Sequence, residues 1–208
     1  MIKRRSLQRA LLIIVSFFFL GMLLPTYTSA RQDSKKAILA GGCFWCMESD
    51  YEKIPGVIRV ESGYIGGEGK DPTYKDYGRK GHIEAVEITY DPSVLTYKGI
   101  LDLFWPRIDP TDAGGQFCDR GHEYSTAIFY KTKEEKKLAE KSKSELKRSG
   151  RLKDAVVTKI LENNGFYRAE GYHQDYYKKN PLRYKFYRYN CGRDKRLREL
   201  WGEAPGHE

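Results

Sequence analysis

The sequence predicts an α/β protein, a two-layer α/β sandwich on a ferredoxin-like split β-α-β core. Two observations carry this. Segments of period-2 and helical patterning follow one another as strand, helix, strand, strand, helix, strand, the order of a split β-α-β unit. Glycine and proline punctuate several of the boundaries between them. The chain has 208 residues, and the part that follows an N-terminal leader fits one domain, large enough to bury a core without disulfide staples.

In chain order, KKAILA (35–40) reads as a short buried strand, broken by Gly41-Gly42. FWCMESDYEKI (44–54) suits a helix that ends at Pro55-Gly56, and VIRVESGY (57–64) alternates like a strand. A glycine-rich loop containing DPTYKDY leads into HIEAVEITY (82–90), an alternating strand with Ile83, Ala85, Val86 and Ile88 mostly on its apolar side. YKGILDLFW (97–105) is helical and Pro106 helps to end it. Beyond the loop DPTDAGGQFCDRGHE come a strand over 124–130, a charged helix over 133–149 and a further strand over 155–161. The C-terminal stretch is rich in tyrosine and basic residues, with no repeat or low-complexity tract.

Residues 1–30 read as a signal peptide and residues 31–208 as the folded domain. Lys3, Arg4, Arg5 and Arg9 form a basic head without an acid, followed by ALLIIVSFFFLGMLL. That run is shorter than the roughly 20 apolar residues of a spanning helix, and Thr28-Ser29-Ala30 offers a small-residue cleavage site. Export in a bacterium, to the periplasm, with cleavage near Ala30 is therefore expected; an uncleaved membrane anchor is the alternative. Formal charge is +9, with 37 Lys and Arg against 28 Asp and Glu, and four of those cations lie in the leader. The mildly basic remainder is poor support for nucleic-acid binding.

The most informative stretch is GGCFWCME (41–48). Cys43 falls between the end of a strand and the start of a helix, where Gly41 and Gly42 allow a tight turn that uncovers the thiol. Free N–H groups and the positive end of the helix dipole favour a thiolate there. Cys46 follows by about one helical turn, so the two could close into a disulfide. Met47 stands where a haem-attachment motif needs histidine, and no second C-x-x-C completes a zinc site. Redox use of the pair is favoured over a buried apolar pair or a chance spacing.

With PGV, SGYIGG, DPTY, GHIEAVEITYDP, FW, DP, DRGHEYSTAIFY and HQDYYKKNP in order after it, this octapeptide makes the chain resemble the A-type peptide methionine sulfoxide reductases, from about Lys36 to Pro181. The resemblance implies a peptide-methionine (S)-S-oxide reductase: reduction of methionine-S-sulfoxide, free or in proteins, with no metal or organic cofactor. It makes Cys43 the nucleophile that becomes a sulfenic acid and Phe44 with Trp45 the apolar seat for the substrate methyl. Glu84 matches the acid that protonates the departing oxygen, kept neutral by apolar neighbours. Tyr74 and Tyr124 match hydroxyls that bind that oxygen, and Asp119 an acid that orders the site.

The chain departs from the family in its cysteines. Many members have glycine where Cys46 stands, Cys118 is unusual in its loop, and the tail after Pro181 lacks the usual glycine-rich run. Cys46 is expected to resolve the sulfenic acid first. Cys191, on a polar tail able to swing in, is the next candidate, and Cys118 the third. The reductant implied is a thioredoxin-like dithiol protein, an exported one if the enzyme is exported, and a monomer is expected. A thioredoxin-like disulfide oxidoreductase would share the C-x-x-C without needing Glu84 and the tyrosines. The aromatic and basic tail YYKKNPLRYKFYRYNCGRDKR motivates a nucleic-acid-binding alternative, against which export argues. His82, His122 and His173 read as structural rather than as parts of a thiol–histidine hydrolase.

Overall fold

A computed structural model describes residues 33–202; the expected leader lies outside the described residues. The strands are β1 Lys35–Gly41, β2 Val57–Ile65, β3 Ile83–Tyr90, β4 Gly115–Gln116, β5 Asp119–Arg120, β6 Thr126–Tyr130, β7 Lys159–Glu162 and β8 Tyr167–Arg168. The α-helices are α1 Phe44–Tyr51, α2 Tyr97–Phe104, α3 Lys133–Arg148, α4 Tyr176–Lys179, α5 Pro181–Asn190 and α6 Arg193–Trp201.

The main sheet runs β7-β6-β1-β3-β2-β8, and β4 pairs only with β5. At its centre β1 is antiparallel to both β3 and β6, while β3 is antiparallel to β2. With β3 inserted between β1 and β2, this is the split β-α-β arrangement. β7 adds in parallel beside β6, and β8 pairs with the other side of β2.

Both faces of the central strands are covered. Leu39, Val60, Val86, Ile88 and Ile128 pack with Phe44, Met47 and Tyr51 of α1 and with Ile100, Leu101 and Phe104 of α2. Ile38, Ala40, Ile65, Ile83, Ala85 and Phe129 form a separate buried cluster on the opposite face. β3 is therefore buried on both faces over Ile83–Val86: Val86 and Ile88 lie on the helix face, Ile83 and Ala85 on the other, where Glu87 and Thr89 further along are partly buried. Glu84 shares the helix face by alternation, which buries its carboxyl.

Three boundaries differ by two residues or more from the sequence reading, and the tail differs as a whole. α1 stops at Tyr51. Tyr124 belongs to a short 3-10 turn, His122–Tyr124, and the strand begins at Thr126. Residues 155–158 precede β7 rather than forming it, since the Val157 N–H donates to the Pro110 carbonyl and so docks the segment on a loop before the ladder starts. The tail, given no elements from sequence, is helical. Its pattern is masked because two cations are buried where apolar residues would be expected. Arg188 is 3% exposed and pairs with Asp50 and Asp194; Arg193 is 1% exposed and donates to the carbonyls of Gly41 and Arg107. Gly192, at φ 71°, makes the corner between α5 and α6.

The turn from β1 to α1 requires its glycines. Gly42 has φ +79°, and a Cβ there would stand 2.5 Å from Gln116 Cβ; one on Gly41 would stand 2.5 Å from Met47 Sδ. Gln116 cannot easily yield, because its amide bonds both the N–H and the carbonyl of Asp109. Gly42→Ala is expected to lower unfolding free energy by about 1–3 kcal/mol, read from urea denaturation. Gly171→Ala, where a Cβ meets nothing within 4 Å, should leave it within about 0.5 kcal/mol.

Candidate active site

Cys43 is the N-cap of α1, with φ −48° and ψ 117°. It lines a cavity of about 90 Å³ whose walls are Phe44, Trp45, Tyr74, Glu84, Asp119, Tyr124 and Tyr187. Residues from α1, β3, the loop after β2, the β4–β5 hairpin, the 3-10 turn and α5 thus converge on one thiol. Cys46 lies outside the lining, buried beside Cys43, and both are free cysteines. Cys191 is bonded to Cys118.

The electrostatics differ from what a helix start alone suggests. Phe44's N–H, at the first position of α1, is taken by Glu84 Oε2 at 2.9 Å. Burial pushes the Cys43 thiol up, and hydrogen bonding to Cys46 adds to that. The same hydrogen bond brings Cys46 down to about 7 against its own burial, with the charges of Arg193 and Arg188 helping. The two sulfurs are coupled through that bond, so the first ionisation belongs to the pair. A partner thiol and two buried arginines thus favour a thiolate on Cys46, the sulfur next to Cys43.

Glu84 is 2% exposed. Burial pushes its carboxyl up to about 8, with the bonds from Phe44 and Tyr77 opposing and Asp119 adding. It is therefore mostly a neutral acid at pH 7, facing the same cavity as the thiol. Its Oε1 accepts the Tyr77 hydroxyl at 3.1 Å, and Tyr77 also hydrogen-bonds Tyr124. Sequence reasoning missed Tyr77, although it stands three positions after Tyr74 in TYKDY and its ring stacks near Tyr74's. Burial also pushes Asp119 up, against the pull of Tyr187, whose hydroxyl donates to Asp119 Oδ2 at 2.5 Å.

The apolar wall is held from behind. Trp45 stacks on Tyr176 at 3.8 Å, meets the edge of Tyr187 at 5.8 Å, and donates its indole N–H to His173 Nδ1 at 3.1 Å. An accepting Nδ1 means a neutral imidazole, and burial lowers the His173 pKa in the same direction. His82 bridges the Gly67 N–H and the Gly69 carbonyl, a structural clamp on the glycine-rich loop. His122 lies exposed on the 3-10 turn.

A thiol backed by a second thiol and lining, with a neutral carboxylic acid, one small and largely aromatic cavity defines a thiol-dependent enzyme of the α/β sandwich class. Residues 35–205 match the family described as peptide methionine sulfoxide reductase, and the chain belongs to that family. It is 53% identical over 168 residues to the peptide methionine sulfoxide reductase MsrA of Bacillus licheniformis, covering 80% of this chain and 93% of that one. It is 49% identical to the MsrA/MsrB protein of Vibrio cholerae, covering 85% of this chain and 47% of that one. Among solved structures, reduced Mxr1 from Saccharomyces cerevisiae superposes with a TM-score of 0.67 at 31% identity, covering 73% of this chain and 88% of that one. Methionine sulfoxide reductase A of Corynebacterium diphtheriae gives 0.64 at 29% identity, over 74% and 78%.

The two shifts set a narrow working range. Below about 7 the thiol pair keeps both protons and above about 8 Glu84 is ionised, so a reaction that used the pair as nucleophile and Glu84 as acid would climb with pH through the first value and fall through the second. A bell-shaped kcat/KM with limbs near those values is expected from stopped single-turnover assays. Glu84→Gln should lower the maximum by about 10²- to 10⁴-fold and abolish the alkaline limb.

Proposed function

We propose that this cavity reduces the S epimer of methionine sulfoxide, free or in proteins, with Cys43 as nucleophile, Cys46 first as its base and then as resolving thiol, and Glu84 as general acid. Methionine sulfoxide reduction itself is the activity of this enzyme. The observation that carries the division of roles is the opposition of Cys43, backed by the Cys46 thiol, and a neutral, buried carboxyl in the lining of one small cavity.

The chemistry follows from that opposition. Cys46 as thiolate takes the Cys43 proton, and Cys43 attacks the electrophilic sulfur. Glu84 lends its proton to the sulfoxide oxygen, since an unprotonated oxide does not leave. Oxygen passes to Cys43 as the bonds from the substrate sulfur to Cys43 and to oxygen break and leave their electron pair on the methionine sulfur, so methionine and a Cys43 sulfenic acid replace sulfoxide and thiol. The Cys46 thiol then attacks the Cys43 sulfur, the hydroxyl departs as water with the thiol's proton, and a Cys43–Cys46 disulfide forms. A dithiol protein of the thioredoxin type returns both thiols and leaves oxidised itself. Tyr74 and Tyr124 would hold the oxygen, and Phe44 with Trp45 the methyl. Asp119 supports the wall opposite. Because methyl and oxygen have fixed and different seats, only one epimer can present its sulfur to Cys43.

Equal rates on the two epimers would refute this reading; the S form alone is expected to react. Cys43→Ser should give no methionine even in one turnover. Cys46→Ser should release about one methionine per enzyme and then stop under a dithiol protein, and wild type after one turnover should map by mass to a Cys43–Cys46 bond. Normal cycling by that variant would assign resolution elsewhere.

The basic head, short apolar run and Thr28-Ser29-Ala30 support export, with a periplasmic dithiol protein as donor; among the described residues no helix is long and apolar enough to cross a membrane. N-terminal sequencing of protein from a periplasmic extract should begin near Arg31. Full-length chain in the membrane fraction would favour the anchor, and full-length chain in the cytosol would refute export.

A further inference from the structure

We propose that the Cys118–Cys191 disulfide is a strap that holds one wall of the substrate cavity and stands outside the turnover cycle. Cys118 sits at the tip of the β4–β5 hairpin, next to Asp119; Cys191 caps α5 one turn beyond Tyr187. The bond joins positions 73 apart in sequence and brings their Cα atoms to 4.8 Å. Beside it, the Tyr187 hydroxyl meets Asp119 at 2.5 Å and the Cys118 N–H points at Cys191 Sγ at 3.2 Å. Asp119 and Tyr187 both line the cavity, and Tyr187 also carries the edge contact to Trp45. Strap and cavity wall are therefore one assembly.

The hairpin needs such a tie. It pairs at only two register positions and joins no strand of the main sheet. Gln116 ties the first strand to Asp109 and Arg120 pairs with Asp112 from the second, but the turn at Phe117-Cys118 that leads into Asp119 lies beyond both. A covalent link to α5 restricts where the Asp119 carboxylate can go.

Cys191 is badly placed to serve as a swinging thiol. Arg188 precedes it, with its guanidinium buried between Asp50 of α1 and Asp194. Arg193 follows it, fixed to the carbonyls of Gly41 and Arg107. Moving Cys191 toward Cys43 would pull on buried cations whose partners are on α1 and β1, and exposing either half of such a pair is costly. Cys43 already has a thiol neighbour that needs no such movement. The expectation of a mobile tail thus gives way to a helix end anchored on both sides.

This inference rests on the reductase reading, and the test separates the two. Three forms are compared in single turnover without added reductant: wild type with Cys43 and Cys46 as thiols and the strap closed, wild type with all four cysteines reduced, and Cys118→Ser/Cys191→Ser. Methionine is measured against sulfoxide concentration, and disulfides are mapped by mass. Both strapless forms should show half-saturation raised by about 3- to 10-fold, with the maximal rate within about threefold of the strapped form. Each form should release about one methionine and end with a Cys43–Cys46 bond. Tyr187→Phe should raise half-saturation similarly and add less than its full factor in the strapless background. A second methionine from the fully reduced wild type, with Cys118–Cys191 formed by turnover, would place the pair in the electron path and overturn the proposal. Unchanged half-saturation in the reduced wild type would overturn it too, whether or not the double variant folds. Failure of the strapped wild type to produce methionine would instead strike the reductase reading.

Discussion

The bond from the Phe44 N–H to Glu84 joins the two halves of the split β-α-β core at the point where the chemistry occurs. β3 lies between β1 and β2, so its residue 84 comes up beneath the first turn of α1. A helix start has N–H groups without intrahelical partners, and a buried carboxyl needs donors. Each satisfies the other. That mutual satisfaction fixes the acid relative to the thiol, since Cys43 is the residue immediately before Phe44. The glycines at 41 and 42 are needed for the same reason: the chain must turn tightly enough to put that N–H over that carboxyl.

The electrostatic consequence is a division of labour by burial. A carboxyl and a thiol in one dry cavity are both pushed toward their neutral forms. For Glu84 that is what the proposed proton donation requires. For Cys43 it works against nucleophilicity, and the remedy lies behind the cavity, where Cys46 is hydrogen-bonded to it and Arg188 and Arg193 favour the negative charge. A direct cation beside Cys43 would also have lowered the pKa of Glu84 and spoiled the acid. Cations one layer back act more strongly on the second sulfur than on the carboxyl.

The same arginines explain the tail. They are anchored on α1, β1 and the segment that follows α2, so α5 and α6 are held against the catalytic elements by charge and hydrogen bonding as much as by apolar packing. Helix α5 turns Tyr184 and Arg188 inward, brings Tyr187 to the cavity, and leaves Leu182, Phe186 and Tyr189 exposed. A pattern of that kind has little hydrophobic periodicity to read.

By itself the sequence determined the order of the core elements, the hinge at Gly41-Gly42, the position of Cys43 at the start of a helix and the resemblance that named the other candidates. These are local matters: period-2 and helical patterning, glycine punctuation and motif spacing act over a few residues and need no knowledge of what packs where. Tertiary structure alone decided the burial of Glu84, because whether an alternating strand has a solvent face depends on what covers it. It decided that Tyr77 touches the acid, that the buried arginines act on Cys46, and that Cys118 and Cys191 are partners. Pairing across 73 residues and ionisation of buried groups depend on neighbours distant in sequence and on the water they exclude, and neither leaves a trace in local pattern.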